Sequence, residues 1–271
     1  MLKDKTLAFI GIGVMGEAMI RGLLARNVVP AEAIIASDPV SPRLDAIAER
    51  YGVRAVRRNA EAAEAADLVV LSIKPQSLAQ VLPDLRGKLS GDDLLISILA
   101  GVSIERLIEG VGHPAVVRAM PNTPAQIGEG ISVWTATDQV SQEQMEGARD
   151  VLAALGQEIQ VEREEYLDMA TALSGSGPGY IFLFLESMID AGVHMGFPRR
   201  VAEQLVMQTV RGSVEFAAQS GHHVAELRNQ VTSPGGTTAA ALYHMEKGGL
   251  RTVISRGIWS AYQRSIELGE R

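Results

Sequence analysis

The chain has 271 residues, enough for one large domain or two small ones, and 46% of them are apolar, so it can build a sizeable core. A formal charge of −7 argues against nucleic acid or an anionic membrane as partner. The absence of cysteine excludes disulfides, thiol nucleophiles and thiolate–metal sites. The amino-terminal residues run straight into a strand-like segment with no signal-peptide pattern, and no apolar run reaches the ~18 residues a membrane span needs. A cytoplasmic, water-soluble protein is expected.

Leu7-Ala8-Phe9-Ile10 is a short apolar run, followed by Gly11-Ile12-Gly13-Val14-Met15-Gly16 and an amphipathic segment. Strand, glycine turn and helix in that order make a GxGxxG motif far more specific than the glycines alone. Gly11 permits the tight turn, Gly13 lets a pyrophosphate approach the backbone, and Gly16 lets the helix pack on the strand. The phosphate then sits at the helix N-terminus. A second strand, 33–37, ends in Ser37 and Asp38, 22 residues after Gly16. An acid near that spacing often holds the ribose hydroxyls of NAD. Asp38 is otherwise a turn residue before Pro39, and Arg43 nearby is suited to the extra phosphate of NADP. Ser41-Pro42 reads as an N-cap and first helical residue.

Residues 52–56 read as a third strand and Asn59 as a helix cap. The apolar run 67–73 is a fourth strand, ending in Ser72, Ile73 and Lys74. Residues 94–98 are a fifth, ending in Ala100-Gly101, with Ser103 capping the next helix. Residues 115–120 are a sixth, ending in Pro121-Asn122-Thr123-Pro124. Ligands in doubly wound sheets bind beyond the carboxyl ends of the strands. Lys74 at such an end is either a phosphate contact or a solvated lysine, and Asn122 either a ligand contact or a turn former. Residues 131–134 alternate as a strand, Ser141 and Gln144 have the capping-box spacing, and 158–161 form a last strand.

The charged run Glu162-Arg163-Glu164-Glu165 marks a boundary and reads as a solvated helix start. Beyond it the chain is helical: 168–173, a small-residue breaker at Ser174-Gly175-Ser176-Gly177-Pro178, a helix to Gly196, another from Pro198 to about Gly221, and a final helix carrying Leu250 to Ile266. These helices are apolar around much of their circumference. A segment of roughly 105 residues cannot bury them alone, which implies a homo-oligomer. In Val231-Thr232-Ser233-Pro234-Gly235-Gly236-Thr237-Thr238, proline and two glycines precede an alanine-rich helix. Such a loop offers unpaired N–H groups, a positive dipole end and threonine hydroxyls to a carboxylate or phosphate. Taken alone, the loop reads first as an ordinary threonine N-cap. No histidine cluster has metal-ligand spacing, and no nucleophile elbow is present.

These segments together resemble the pyrroline-5-carboxylate reductases over nearly the whole length. The resemblance rests on Phe9 to Gly16, Ile73-Lys74-Pro75-Gln76, Ala100-Gly101-Val102, Met120-Pro121-Asn122-Thr123-Pro124, Leu173 to Pro178 and, most diagnostically, Val231 to Thr238. It implies an α/β Rossmann-type N-terminal domain (1–162) followed by an all-α dimerisation and substrate-binding domain (163–271). It also implies dimers that assemble into decamers, each a pentamer of dimers. NADPH or NADH would lie across the strand ends, on Ile12, Val14, Met15, Asn59, Ser72, Ile73, Lys74 and Ala100. With the glycines Gly11, Gly13 and Gly16 and the strand-end residues Ser37, Asp38 and Asn122, these make up the expected cofactor site. The implied substrate site lies between the nicotinamide and residues 233–238, with a partner chain contributing. Backbone N–H groups near Gly236 and Thr237 would hold the carboxylate, and Thr238 the ring nitrogen. Glu164 matches a position near bound substrate or product.

Two departures bear on specificity. Asp38 stands where NADPH-using members commonly have a serine, and Gln230 where a substrate-contacting asparagine is usual. The implied reaction is reduction of the C=N bond of 1-pyrroline-5-carboxylate to L-proline, the last step of proline biosynthesis. A β-hydroxyacid dehydrogenase, also Rossmann plus helices, usually needs a catalytic lysine on a second-domain helix, and only Lys247 stands there, near a Gly-Gly break. A non-catalytic NAD(P) sensor has no use for the loop at 233–238. An imine reductase acting on another ring size remains the third alternative.

Overall fold

Alternate residues of each central strand enter different cores, and this sets the architecture. The computed structural model describes residues 2–269. Leu7, Phe9, Ala36, Val70, Ile96 and Val117 belong to one buried cluster, and Ala8, Ile10, Ile35, Val69, Leu71, Leu95 and Val116 to another. A strand covered on both faces must be apolar throughout, which is why these segments lack polar alternation.

Among the described residues the strands are β1 (Leu7–Ile10), β2 (Ile34–Ser37), β3 (Arg54–Val56), β4 (Leu68–Leu71), β5 (Leu94–Ser97), β6 (Val116–Met120), β7 (Gly130–Ala136) and β8 (Gly156–Gln160). They form one sheet in the order β3-β2-β1-β4-β5-β6-β7-β8. β1 to β6 run parallel, β7 is antiparallel to β6, and β8 is parallel to β7. The first cluster is closed by α1 (Val14–Ala25), α2 (Ser41–Tyr51) and α6 (Gln142–Ala153), the second by α3 (Asn59–Glu64), α4 (Leu78–Leu85) and α5 (Ile104–Val111). Strand order reverses between β1 and β4, which opens a crevice beyond their carboxyl ends.

The caps divide into kept and corrected expectations. Ser103 accepts the Arg106 N–H at 3.2 Å, and Ser141 and Gln144 form a full capping box. Asn59 is not a cap: Arg58 holds that position, and the Asn59 amide turns to other side chains. Val40, not Ser41, precedes α2, and Ser41 already lies within the helix, one residue ahead of Pro42.

After β8 come α7 (Glu165–Ala170), α8 (Gly177–His194), α9 (Arg199–Ser220), α10 (Val224–Gln230), α11 (Thr237–Lys247) and α12 (Leu250–Gly269). The expected breaker at 174–178 does not break the helix. Thr171–Gly175 forms a π-helical turn, in which the Ser176 N–H reaches the Thr171 carbonyl at 2.8 Å, and α8 follows at once. Proline is tolerated there because N–H groups in the first turn of a helix have no helical partner.

The chain forms two compact units. One runs through Pro178 and takes in the end of α12 from Ala261; the other is Gly179–Ser260. Within the second, a Cβ on Gly192 would lie 3.0 Å from the Ala202 Cβ, so glycine lets α8 and α9 approach closely. Much of its apolar surface is uncovered: Phe182, Leu183, Val214, Phe216 and Val253 are all more than half exposed. So large an apolar surface marks an interaction face. Among the described residues no helix is long and apolar enough to cross a membrane.

Candidate functional site

The glycine turn after β1 lies at the strand-order reversal. Gly11 has φ +89°, and a Cβ there would lie 2.7 Å from Ile73 Cγ2. The turn is tied on both sides: the Gly11 N–H donates to the Ser37 carbonyl at 2.8 Å, and the Ser72 hydroxyl to the Gly11 carbonyl at 2.5 Å. A Cβ on Gly16 would collide with the Gly11 carbonyl and with Ser72. Gly13 differs, since a Cβ there meets nothing within 4 Å. That open side adjoins the start of α1, where no side chain caps the helix and the Glu17 N–H makes the first bond, to the Gly13 carbonyl. The N–H groups of Val14, Met15 and Gly16 have no helical partner, and Val14 is exposed. This is the arrangement that accepts a pyrophosphate.

Asp38 makes the turn contact expected before Pro39 and, in addition, contacts that neither sequence reading included. Its side chain is only 4% exposed. One carboxylate oxygen accepts the Ile12 N–H at 3.0 Å and pairs with Arg43 at 3.2 Å, while the other accepts the Val40 N–H at 2.9 Å. The carboxylate thus locks the glycine turn to the end of β2. Ser37 and Asn59 are brought together: the Ser37 hydroxyl donates to the Asn59 carbonyl oxygen at 2.9 Å, and the Asn59 amide to Asp84 at 3.0 Å. Lys74 is exposed and has no ion-pair partner among the described residues. Asn122 is occupied at both ends of its amide, accepting the Ile131 N–H at 3.0 Å and donating to the Ser174 carbonyl at 3.2 Å. It holds the turn after β6 against the π-helical segment. Gly101, next to Ala100, has φ +67°, and the end of α12 lies against it, with Leu268 Cβ 3.0 Å from where a Cβ would be.

In the second unit, the loop before α11 shows no threonine cap. Gly236 is the N-cap, with no side-chain bond. Gly235 has φ +70°, the Gly236 N–H donates to the Ser233 carbonyl at 3.0 Å, and the Thr232 hydroxyl donates to Arg228 at 2.6 Å. The first N–H with a helical partner is that of Ala240, bonded to the Gly236 carbonyl at 3.1 Å. The N–H groups of Thr237, Thr238 and Ala239 are therefore free of the helix, and among the described residues the Thr238 hydroxyl has no partner. The geometry suits a carboxylate, with a hydroxyl beside it. Gln230 ends α10 and is exposed.

The reading of Glu164 as a solvated residue is corrected. Its Oε1 accepts Arg118 at 2.6 Å and the Ile104 N–H at 2.8 Å. Arg118, on β6, is 4% exposed, and its guanidinium also faces Asp168 at 3.8 Å. The sequence signal for this cluster was an arginine inside a continuously apolar strand, since a buried charge requires partners.

A switch-point crevice with an uncapped helix N-terminus and an open second glycine defines a dinucleotide-binding protein of the Rossmann class. A family model described as pyrroline-5-carboxylate reductase dimerisation matches residues 164–268, and one described as NADP oxidoreductase coenzyme F420-dependent matches 6–101. The pyrroline-5-carboxylate reductase of Synechocystis sp. is 41% identical over 265 residues, 98% of each chain. That of Pseudomonas aeruginosa is 42% identical over 266 residues, 98% of this chain and 97% of the relative. The crystal structure of Plasmodium falciparum pyrroline carboxylate reductase with NADP bound aligns with a TM-score of 0.90 at 33% identity, covering 98% of this chain and 99% of that one. The chain belongs to the pyrroline-5-carboxylate reductase family.

Proposed function

We propose that the chain reduces the C=N bond of 1-pyrroline-5-carboxylate with NADPH or NADH, yielding L-proline. The observation that carries the substrate side is the loop before α11, with three unpartnered N–H groups and a free Thr238 hydroxyl at one helix start. Bound NAD(P)H would supply the hydride, and the protein supplies position and electrostatics.

The cofactor residues in this reading are Gly11, Ile12, Gly13, Val14, Met15, Gly16, Ser37, Asp38, Asn59, Ser72, Ile73, Lys74, Ala100 and Asn122. Gly13 and the start of α1 face the pyrophosphate, and the exposed Lys74 is free to reach phosphate. Asn122 takes part by shaping its turn, since its amide is already committed. The N–H of Thr237 and those that follow it hold the substrate carboxylate beside Gly236, whose own N–H is committed to the Ser233 carbonyl, with Gln230 alongside. Thr238 is the catalytic residue: its hydroxyl bonds the ring nitrogen and relays a proton from water, threonine itself being a poor acid. Glu164 offers substrate only its second oxygen.

Residues 1–162 serve as the cofactor domain and 163–271 as the substrate and dimerisation domain, although 163–178 and the end of α12 from Ala261 fall within the first compact unit. The exposed apolar helices support a homodimer, with decamers as pentamers of dimers. The protein works in the cytoplasm on small molecules, without nucleic acid or membrane. Incubation with the imine and reduced cofactor, followed by chiral analysis, tests the reading. L-proline is expected, and consumption of neither reactant would overturn it. Light scattering tests the assembly, and a monomer at micromolar concentration would refute it.

A further inference from the structure

Arg118, Glu164, Asp168 and Ser265 come from β6, the start of α7, α7 and the end of α12, yet they form one chain of polar contacts. The Arg118 guanidinium donates to Glu164 at 2.6 Å and lies 3.8 Å from Asp168. Ser265, 3% exposed, donates its hydroxyl to the same Asp168 oxygen at 2.7 Å. At the other end, Glu164 accepts the Ile104 N–H at 2.8 Å, at the first residue of α5. Three residues before it is Gly101, against which Leu268 and Gly269 of α12 pack. The turn between β5 and α5 is thus held from two sides, by Glu164 at Ile104 and by α12 at Gly101. Both holds trace back to Arg118.

A bare structural ion pair needs neither this burial nor this span. Arg118 Nε is buried without a partner, while the guanidinium donates to Glu164 and faces Asp168 as an ion pair beyond hydrogen-bond distance. The arginine pairs in register with Ser97, the last residue of β5, so it sits directly beneath the turn it controls. In a doubly wound sheet the β1–β3 half takes one mononucleotide and the β4–β6 half the other. On the proposed dinucleotide reading, on which this inference rests, the 98–103 turn contacts the nicotinamide half.

We infer that Arg118 and Ser265 are positioning residues for the nicotinamide half of the cofactor, acting through the turn at Ala100-Gly101. The end of α12 is then part of the cofactor-binding apparatus, although it lies far along the chain from the glycine motif. Loosening the cluster weakens the hold on the nicotinamide half and leaves the adenine half as it was.

The test compares two ligands on the full-length protein: reduced dinucleotide, followed by its fluorescence, and ADP, followed by calorimetry. Ser265→Ala removes one hydroxyl and leaves both ion pairs, so it keeps the fold. Arg118→Lys keeps the charge and loses the fork. Each is expected to weaken dinucleotide binding by about three- to tenfold, the scale of one hydrogen bond, with ADP binding within twofold of wild type. In turnover, KM for the dinucleotide rises by a similar factor in both variants, and KM for the imine is unchanged in Ser265→Ala, which leaves the Arg118–Glu164 bond in place. Equal binding of dinucleotide by wild type and both variants would overturn the inference, as would parallel weakening of both ligands, which marks a purely structural role. Failure of the dinucleotide reading itself looks different: wild-type protein would then bind neither ligand.

Discussion

Truncation of Thr238 separates catalysis from stability with unusual cleanness. Its hydroxyl has no partner among the described residues, and it lies in the first turn of α11, which Gly236 caps without any side chain. Thr238→Ala therefore removes no intramolecular hydrogen bond and gains helix propensity of about 0.5 kcal/mol. The unfolding midpoint should stay put or rise slightly. Activity should behave in the opposite way. A hydrogen bond to a charged group is worth about 1.5–3 kcal/mol, or roughly 10- to 150-fold, and general acid assistance about 10²–10⁴ in rate. Turnover of the imine should fall by at least about tenfold, toward the upper end if the proton relay is lost as well. Thr238→Ser, which keeps the hydroxyl, should stay within about threefold, well under the cost of one such bond. Steady-state kinetics beside a thermal melt measure both quantities. A folded Thr238→Ala variant with wild-type turnover would remove Thr238 from the mechanism.

Three further outcomes follow from the cofactor side. NADH should be used at least as well as NADPH, because on the proposed cofactor reading Asp38 lies beside the place of a 2′-phosphate; unit charges about 5 Å apart repel by roughly 3 kcal/mol at an effective dielectric of about 20. Arg43 offsets part of this but is already tied to Asp38 at 3.2 Å, so a strong NADPH preference abolished by Arg43→Ala would refute the reasoning. Gly13→Ala should fold with stability within about 1 kcal/mol of wild type yet bind dinucleotide at least about tenfold more weakly, a penalty of about 1.4 kcal/mol, since its Cβ would point into the open side of the turn. Gly11→Ala should instead lose stability by about 1–3 kcal/mol or more, because φ +89° and the contact with Ile73 both oppose a side chain. Chemical denaturation and fluorescence titration distinguish the two glycines, and equal behaviour would count against their separate roles.

The strands were legible because a two-sided parallel strand must be continuously apolar, and each such run from Leu7 to Met120 is a strand in the sheet. The antiparallel direction of β7 was not legible, since alternation at Ile131 to Trp134 carries no direction. The glycine motif could be read residue by residue, as Gly11, Gly13 and Gly16 each make a different steric demand. The contacts of Asp38 were not legible, because its bond to the Ile12 N–H depends on how two distant strands pair. The same holds for Glu164, whose local sequence is a charged run and whose partner, Arg118, lies 46 residues earlier. Small residues at 174–178 read as a break because glycine and proline disfavour helix interiors, whereas a π-helical turn and a proline in the first turn of α8 accommodate them.

Imine reduction at the expense of a nicotinamide cofactor is the chemistry proposed for this chain. Its most direct test is steady-state reduction of 1-pyrroline-5-carboxylate followed at the nicotinamide absorbance, with NADH and NADPH in parallel. Rapid turnover is expected, with NADH at least as effective as NADPH. No turnover with either cofactor, in folded protein that binds dinucleotide, would contradict it.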